Sequence, residues 1–188
     1  IILRNFVSID GRGNSRQTAL HDIWVSFSRK YPVSTMAPAY LAQIISHNEV
    51  AQEATKFLTR RFDPGSNLNS DALKRHIIAL FGERKVVKNS VSAFLRTIQY
   101  HGVLQAGDKW GTYQFYDRLP VRKEVFPLII WTLWRTNSTP QIDLDAINGN
   151  PALAFLKSDH FSEYWRAYQP ELWVISERIE LRQVILKV

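Results

Sequence analysis

The sequence predicts a mainly α-helical protein. It has a helical N-terminal part, a central pair of helices followed by a β-hairpin, and a C-terminal helical part that ends in a hairpin of its own. Three observations lead there. Apolar residues recur at steps of three and four over most of the chain, the spacing of one helix face. Clusters of Gly, Pro, Asn and Asp interrupt that pattern. Two stretches, 103–116 and 172–188, switch to short runs rich in aromatic and branched residues around polar turns, as strands do. With 188 residues, 45% apolar and 22% charged, the chain can bury a substantial core, and wholesale disorder is excluded.

The elements follow in order. Asp10-Gly11-Arg12-Gly13-Asn14-Ser15 reads as a loop. Residues 16–29 place Ala19, Leu20, Ile23, Trp24 and Phe27 on one helix face, and Tyr31-Pro32 ends that helix. Residues 36–46 carry Tyr40, Leu41, Ile44 and Ile45 at helical spacing. Residues 49–62 carry Val50, Ala54, Phe57, Leu58 and Phe62 likewise. Asp63-Pro64-Gly65-Ser66-Asn67 is a turn. The N-terminal part, 1–66, is thus expected to be a small helical bundle.

The middle third is the most informative. Asn69 or Ser70 can N-cap a helix running to Phe81, with Leu73, Ile77, Ile78, Leu80 and Phe81 inward and Gly82 as its C-terminal stop. After Glu83-Arg84-Lys85 a second helix, 87–101, buries Val87, Val91, Phe94, Leu95 and Ile98. Gly102 ends it. Strands at 103–105 and 110–116 flank a turn at 106–109. Helix, short turn, helix, glycine and two-stranded hairpin, with Ile98-Gln99-Tyr100-His101-Gly102-Val103-Leu104 at the junction, resembles the winged helix-turn-helix superfamily over residues 69–117. The resemblance implies a DNA-binding domain at 67–118 with its second helix in the major groove.

The C-terminal part, 119–188, opens after Leu119-Pro120. An apolar helix at 123–135 leaves little polar face and is expected to be central. Asn137-Ser138-Thr139-Pro140 breaks it. Residues 142–147 and 152–156 are short helical candidates, 160–167 is a third, and strands at 172–175 and 181–188 close the chain. The order matches that of the middle third, as a degenerate second winged helix would. Tyr164, Trp165, Tyr168 and Trp173 lie at helical and strand spacing. That fits a core, although stacking platforms for single strands use the same residue types.

Charge directs the functional reading. The net charge is +7, and residues 69–101 hold six basic side chains against two acidic ones, Asp71 and Glu83. A polyanion is therefore the first partner to consider. At the start of the second helix Lys88, Asn89, Ser90 and Ser92 lie off the apolar face, where Lys and Asn can pair with guanine and adenine edges. Lys74, Arg75 and Arg96 are expected at phosphates, Arg84 and Lys85 belong to the same DNA-binding stretch, Lys109 stands at the wing tip, and Lys56, Arg60 and Arg61 extend the patch.

Other chemistries find less support. Cysteine is absent, which excludes disulfides, thiolate metal sites and cysteine nucleophiles and fits a reducing cytoplasm. The N-terminal residues lack a signal-peptide pattern. The longest apolar stretch, 125–134, is too short for a span, so no membrane partner is expected. Asp71 with Glu83-Arg84-Lys85 has the residue types of a Mg²⁺ nuclease, but on a helix and a turn its acids do not converge. His21-Asp22 lacks companion ligands, Gly11-Arg12-Gly13 lacks a third glycine, and Asp143 and Asp145 point apart on a helix. No catalysis, metal or cofactor is expected. The expected function is duplex DNA binding, as a regulator or as the DNA-engaging subunit of a larger system. The alternative is a structural adaptor whose winged helix docks a protein. In size, basicity and layout the chain resembles the small accessory proteins of bacterial phage-defence (BREX) operons.

Overall fold

The computed structural model describes residues 15–135, 141–169, 171–178 and 181–186. Residues 10–14 of the expected N-terminal loop and the break at 137–140 lie outside them, as do Gly11-Arg12-Gly13. The molecule is mostly helical, and its described residues include two small antiparallel sheets.

The described residues begin with three helices: α1 (Ser15–Lys30), α2 (Val33–Ser46) and α3 (Glu49–Arg61). Ser15 begins α1 rather than closing a loop. Asn48 caps α3 by accepting the Ala51 N–H at 2.9 Å. Helix α2 is buried on nearly all sides through Met36, Ala39, Leu41, Ala42 and Ile45, and it packs against α6 (Phe126–Arg135). Phe126, Leu128, Ile129 and Ile130 of α6 are fully buried, so the expected central helix is central. It starts later than residue 123. A 3₁₀ turn, Lys123–Val125, precedes it, and Pro127 fits the first turn of a helix, where an N–H has no partner to lose.

From α3 onward one order of elements occurs twice. Helix α3 is followed by β1 (Asn67–Asn69), α4 (Ser70–Phe81), α5 (Lys85–Tyr100), β2 (Leu104–Ala106) and β3 (Thr112–Phe115), in a sheet of order β1-β3-β2. Helix α6 is followed by β4 (Gln141–Asp143), α7 (Leu144–Asn148), a 3₁₀ turn at Pro151–Leu153, α8 (Phe161–Ala167), β5 (Trp173–Arg178) and β6 (Leu181–Leu186), in a sheet of order β4-β6-β5. In both, the strand after the first helix pairs with the last strand of its unit.

Two of these strands differ from expectation. Residues 67–69 read as the tail of a turn and cap, yet Asn67 pairs with Gln114 and Asn69 with Thr112. Residues 142–147 read as one helical segment, but its start is β4, with Gln141 opposite Ile185 and Asp143 opposite Gln183. Asp143 and Asp145 therefore fall on different elements. The second strand of the first hairpin begins at Thr112, not at residue 110, which leaves Trp110 in the turn.

The units are stitched together. Leu119 N–H donates to Phe155 O at 2.8 Å, and Lys157 N–H donates to Leu119 O at 2.8 Å. The Phe115 ring meets Phe155 edge-on with centroids 5.9 Å apart. Trp165 and Trp173 are core, as their spacing suggested. Both stand within 6.1 Å of the Phe126 ring, and Trp173 Nε1–H donates to Trp165 O at 2.9 Å. Tyr164 and Tyr168 are half-buried, and their hydroxyls donate to Val121 O and Lys123 O.

Candidate nucleic-acid interface

Helix α5 is amphipathic because five of its apolar residues share one face, with Val86 and Tyr100 at its two ends left exposed. Val87, Val91, Phe94, Leu95 and Ile98 are all buried, as the periodicity predicts. Helices α3 and α4 pack against that face. Asn69 is the cap of α4, accepting the Asp71 N–H at 2.8 Å, while Ser70 is buried. Gly82 (φ +83°) makes the turn in a backbone region that side chains disfavour, and its N–H closes on Ile78 O at 2.8 Å. One expected core residue is not inside: Leu80 is exposed, because α4 buries only the Leu73–Ile77 side of its face deeply.

The opposite face of α5 points to solvent. Lys85, Asn89, Ser92 and Arg96 are exposed and follow steps of four, three and four, so they form one line along the helix. The line spans about 16 Å at 1.5 Å per residue. Helix α5 contains no Asp or Glu. Among the described residues Lys85 and Arg96 make no ion pair.

The other expected site residues divide. Lys88 is exposed, but its ammonium meets Glu83 at 2.6 Å, and that contact holds the Glu83 carboxyl below the ordinary range. Ser92 stays on the outward line, although its hydroxyl donates to Lys88 O at 3.3 Å. Ser90 is turned away: it is half-buried, donates to Val86 O at 2.9 Å, and faces a groove of about 410 Å³ that Arg84 and Glu49 also line. The Arg84 guanidinium donates to Phe81 O at 3.0 Å, which satisfies the C-terminus of α4. On α4, Arg75 is exposed, and Lys74 lies 3.4 Å from Asp71. Lys56 pairs with Glu53 at 2.6 Å, and Arg61 covers the Phe57 ring at 4.4 Å. Asp71 and Glu83 stand at opposite ends of α4, so they do not converge on one ion.

The hairpin turn is a built structure. Gly107 N–H donates to Thr112 O at 2.9 Å, and the Thr112 hydroxyl donates to Lys109 O at 2.6 Å. A Cβ on Gly107 would fall 2.5 Å from Thr112 Oγ1, so a side chain there would displace the turn. Lys109 is exposed. Beside it Trp110, read from sequence as a strand residue, is 99% exposed. The periodicity could not flag it, because an aromatic in an apolar run scores as core. The signal lay in its neighbours, since Asp108-Lys109 and Gly111 extend the turn past it.

No protein family, characterised protein or solved structure matches this chain.

Proposed function

We propose that residues 67–118, backed by α3, form a winged helix-turn-helix unit that binds duplex DNA without catalysis. In this reading α5 enters the major groove, and the β2–β3 turn lies against the neighbouring groove or backbone through Lys109 and Trp110. The protein acts as a regulator or as the DNA-engaging subunit of a larger system. One observation carries the reading: the exposed line Lys85, Asn89, Ser92, Arg96 on a helix without acidic residues. It offers an amide able to pair with adenine between two cations able to hold phosphate or guanine. The element order and the β1-β3-β2 sheet support it, because they present α5 and the hairpin turn as successive projections of one unit. With four to six phosphate contacts, log K for a duplex falls against log salt with a slope of about −4 to −5. Anisotropy titration of a labelled duplex at several salt concentrations measures it, and absence of binding in dilute salt would defeat the reading.

A specific observation favours the adaptor as the second reading. Leu80 and Val86, on either side of the α4–α5 turn, are 54% and 63% exposed, as a protein-docking edge would be.

A further inference from the structure

A cleft of about 900 Å³ opens where the two units meet. Thr59 of α3, Arg118 of the linking segment, Asn148 of α7, Arg166 of α8 and Ile175 of β5 all reach it. Its volume lies within the range of small-molecule sites, roughly 300–1,000 Å³.

The lining has two chemistries. Arg118 and Arg166 are exposed and make no ion pair among the described residues. No described acidic residue lines the cleft. The acids nearest in sequence, Asp117, Asp159 and Glu163, flank the cleft rather than line it, and the Asp117 charge is felt by Arg118. The Asp117 carboxylate takes the Lys157 ammonium at 2.6 Å and the Arg118 backbone N–H at 2.7 Å, and Glu163 lies 3.6 Å from His160. Ser158, Ser162 and Gln169 add neutral donors. The other chemistry is apolar: Leu153, Leu156, Phe161 and Trp165 line the cleft and are buried.

We propose that this cleft binds a small organic anion, with a carboxylate or phosphate held by Arg118 and Arg166 and an apolar body against Phe161, Trp165 and Leu156. Guanidinium groups are the side chains best shaped for an oxyanion, and they are strongest where water is partly excluded. Two unpaired cations against an apolar wall leave an anion with a greasy body as the complement. The site is unlike the α5 line, whose polar groups stand on a convex helix without an apolar floor. The inference therefore does not rest on DNA binding.

The probe is 8-anilinonaphthalene-1-sulfonate, an aromatic anion, titrated into the full chain and followed by fluorescence. One saturable site is expected, weakened at least about tenfold in the R118Q/R166Q double variant with an unchanged circular dichroism spectrum. Salicylate and adenosine 5′-monophosphate compete in separate arms. Displacement by the first assigns a carboxylate ligand and by the second a phosphate ligand, and either supports the site. Inorganic phosphate, which has no apolar body, is expected to displace the probe less well than the better of the two. Probe binding unchanged in R118Q/R166Q overturns the proposal, as does failure of both competitors or displacement by inorganic phosphate at least as strong as theirs. Unchanged probe binding together with weakened duplex binding in that variant also overturns it, and moves the two arginines to the DNA surface.

Discussion

The unit built on α3–β3 and the unit built on α6–β6 share an order of elements and a sheet order, and they use their third helices in opposite ways. Helix α5 has 16 residues, about 24 Å of helix, and keeps a full polar face outside. Its counterpart α8 has seven residues, about 10 Å. Phe161 and Trp165 of α8 are buried, and Trp165 packs between Phe126 and Trp173. What remains outside on α8 is mixed in sign, with Glu163 and Arg166 exposed. The lesson is that topology alone does not define a reading surface. A helix can read a groove only if its packing face leaves a long polar face free, and α8 is too short and too deeply engaged for that. The second unit reads as the support of the first.

The largest test of this division lies in the cores. Phe94 anchors α5 and Trp173 anchors the second unit, and both are buried. Phe94→Ala and Trp173→Ala should each cost about 3–5 kcal/mol in a denaturant or thermal melt. Their effects on binding should then part. At a temperature where both variants remain folded, Trp173→Ala keeps the parent's duplex affinity while Phe94→Ala loses part of it, because only the latter loosens α5. Equal losses of affinity would break the comparison. A cost under about 1 kcal/mol for Phe94→Ala would mean that the α5 face is assigned wrongly.

Much of this was legible from sequence where local rules act alone. The five buried positions of α5, the Asn69 cap and the Gly82 stop are set by helical period and by the geometry of helix ends. Of the exposed line, Asn89, Ser92 and Arg96 follow from the period, since whatever is not inward on such a helix is outward, whereas the spacing alone leaves Lys85 in the preceding turn and the helix starts two residues earlier than it predicts. Ser90 escaped because its position, between the two faces, depends on the neighbouring α2–α3 turn. Strands β1 and β4 escaped for a common reason. Each is three residues long with one central apolar side chain, Leu68 or Ile142, too little for an alternating pattern. Their strand character comes from pairing with β3 and β6, many residues away in sequence. The proposed anion cleft was invisible for the same reason: Arg118 and Arg166 line one cleft only because the bridge between Leu119 and Leu156 brings their segments to the same place.

A panel of smaller substitutions sharpens the contrast. Asn89→Ala should lose about 1–3 kcal/mol on a preferred duplex and little on random sequence, because an amide reads an edge rather than a charge. Arg96→Ala should weaken both duplexes alike and make the salt slope shallower by about one unit. Arg166→Ala, on the counterpart helix, should leave the slope unchanged. If Asn89→Ala behaves as Arg96→Ala does, α5 does not read sequence and the protein is a non-specific binder. If Arg166→Ala flattens the slope as much as Arg96→Ala, the two helices share the DNA and the division of labour fails.

The smallest expected effect comes from the residues that end the two helices. His101 follows α5 and Tyr168 follows α8, each as the C-terminal cap residue. Burial pushes the His101 imidazole below its ordinary pKa of 6.5. Burial, aided by nearby negative charge, pushes the Tyr168 phenol above 10.0. The signs then oppose each other. Below pH 6.5 the unfolded chain takes a proton at His101 that the folded chain resists, so stability falls as pH drops through that value toward the lower folded pKa. Above pH 10 the unfolded chain loses the Tyr168 proton before the folded chain does, so stability falls as pH rises from there. The Tyr168 hydroxyl bond to Lys123 O, 3.0 Å, is made by the protonated form alone and acts in the same direction. Melts of the parent, His101→Gln and Tyr168→Phe from pH 5 to 8 and from pH 9 to 11 separate the two. His101→Gln should reduce the acid-side slope and leave the alkaline side as it was, and Tyr168→Phe should do the reverse. An acid-side slope unchanged in His101→Gln would show that this imidazole is as well hydrated in the folded protein as in the unfolded chain, and that the end of α5 is more open than the packing around it implies.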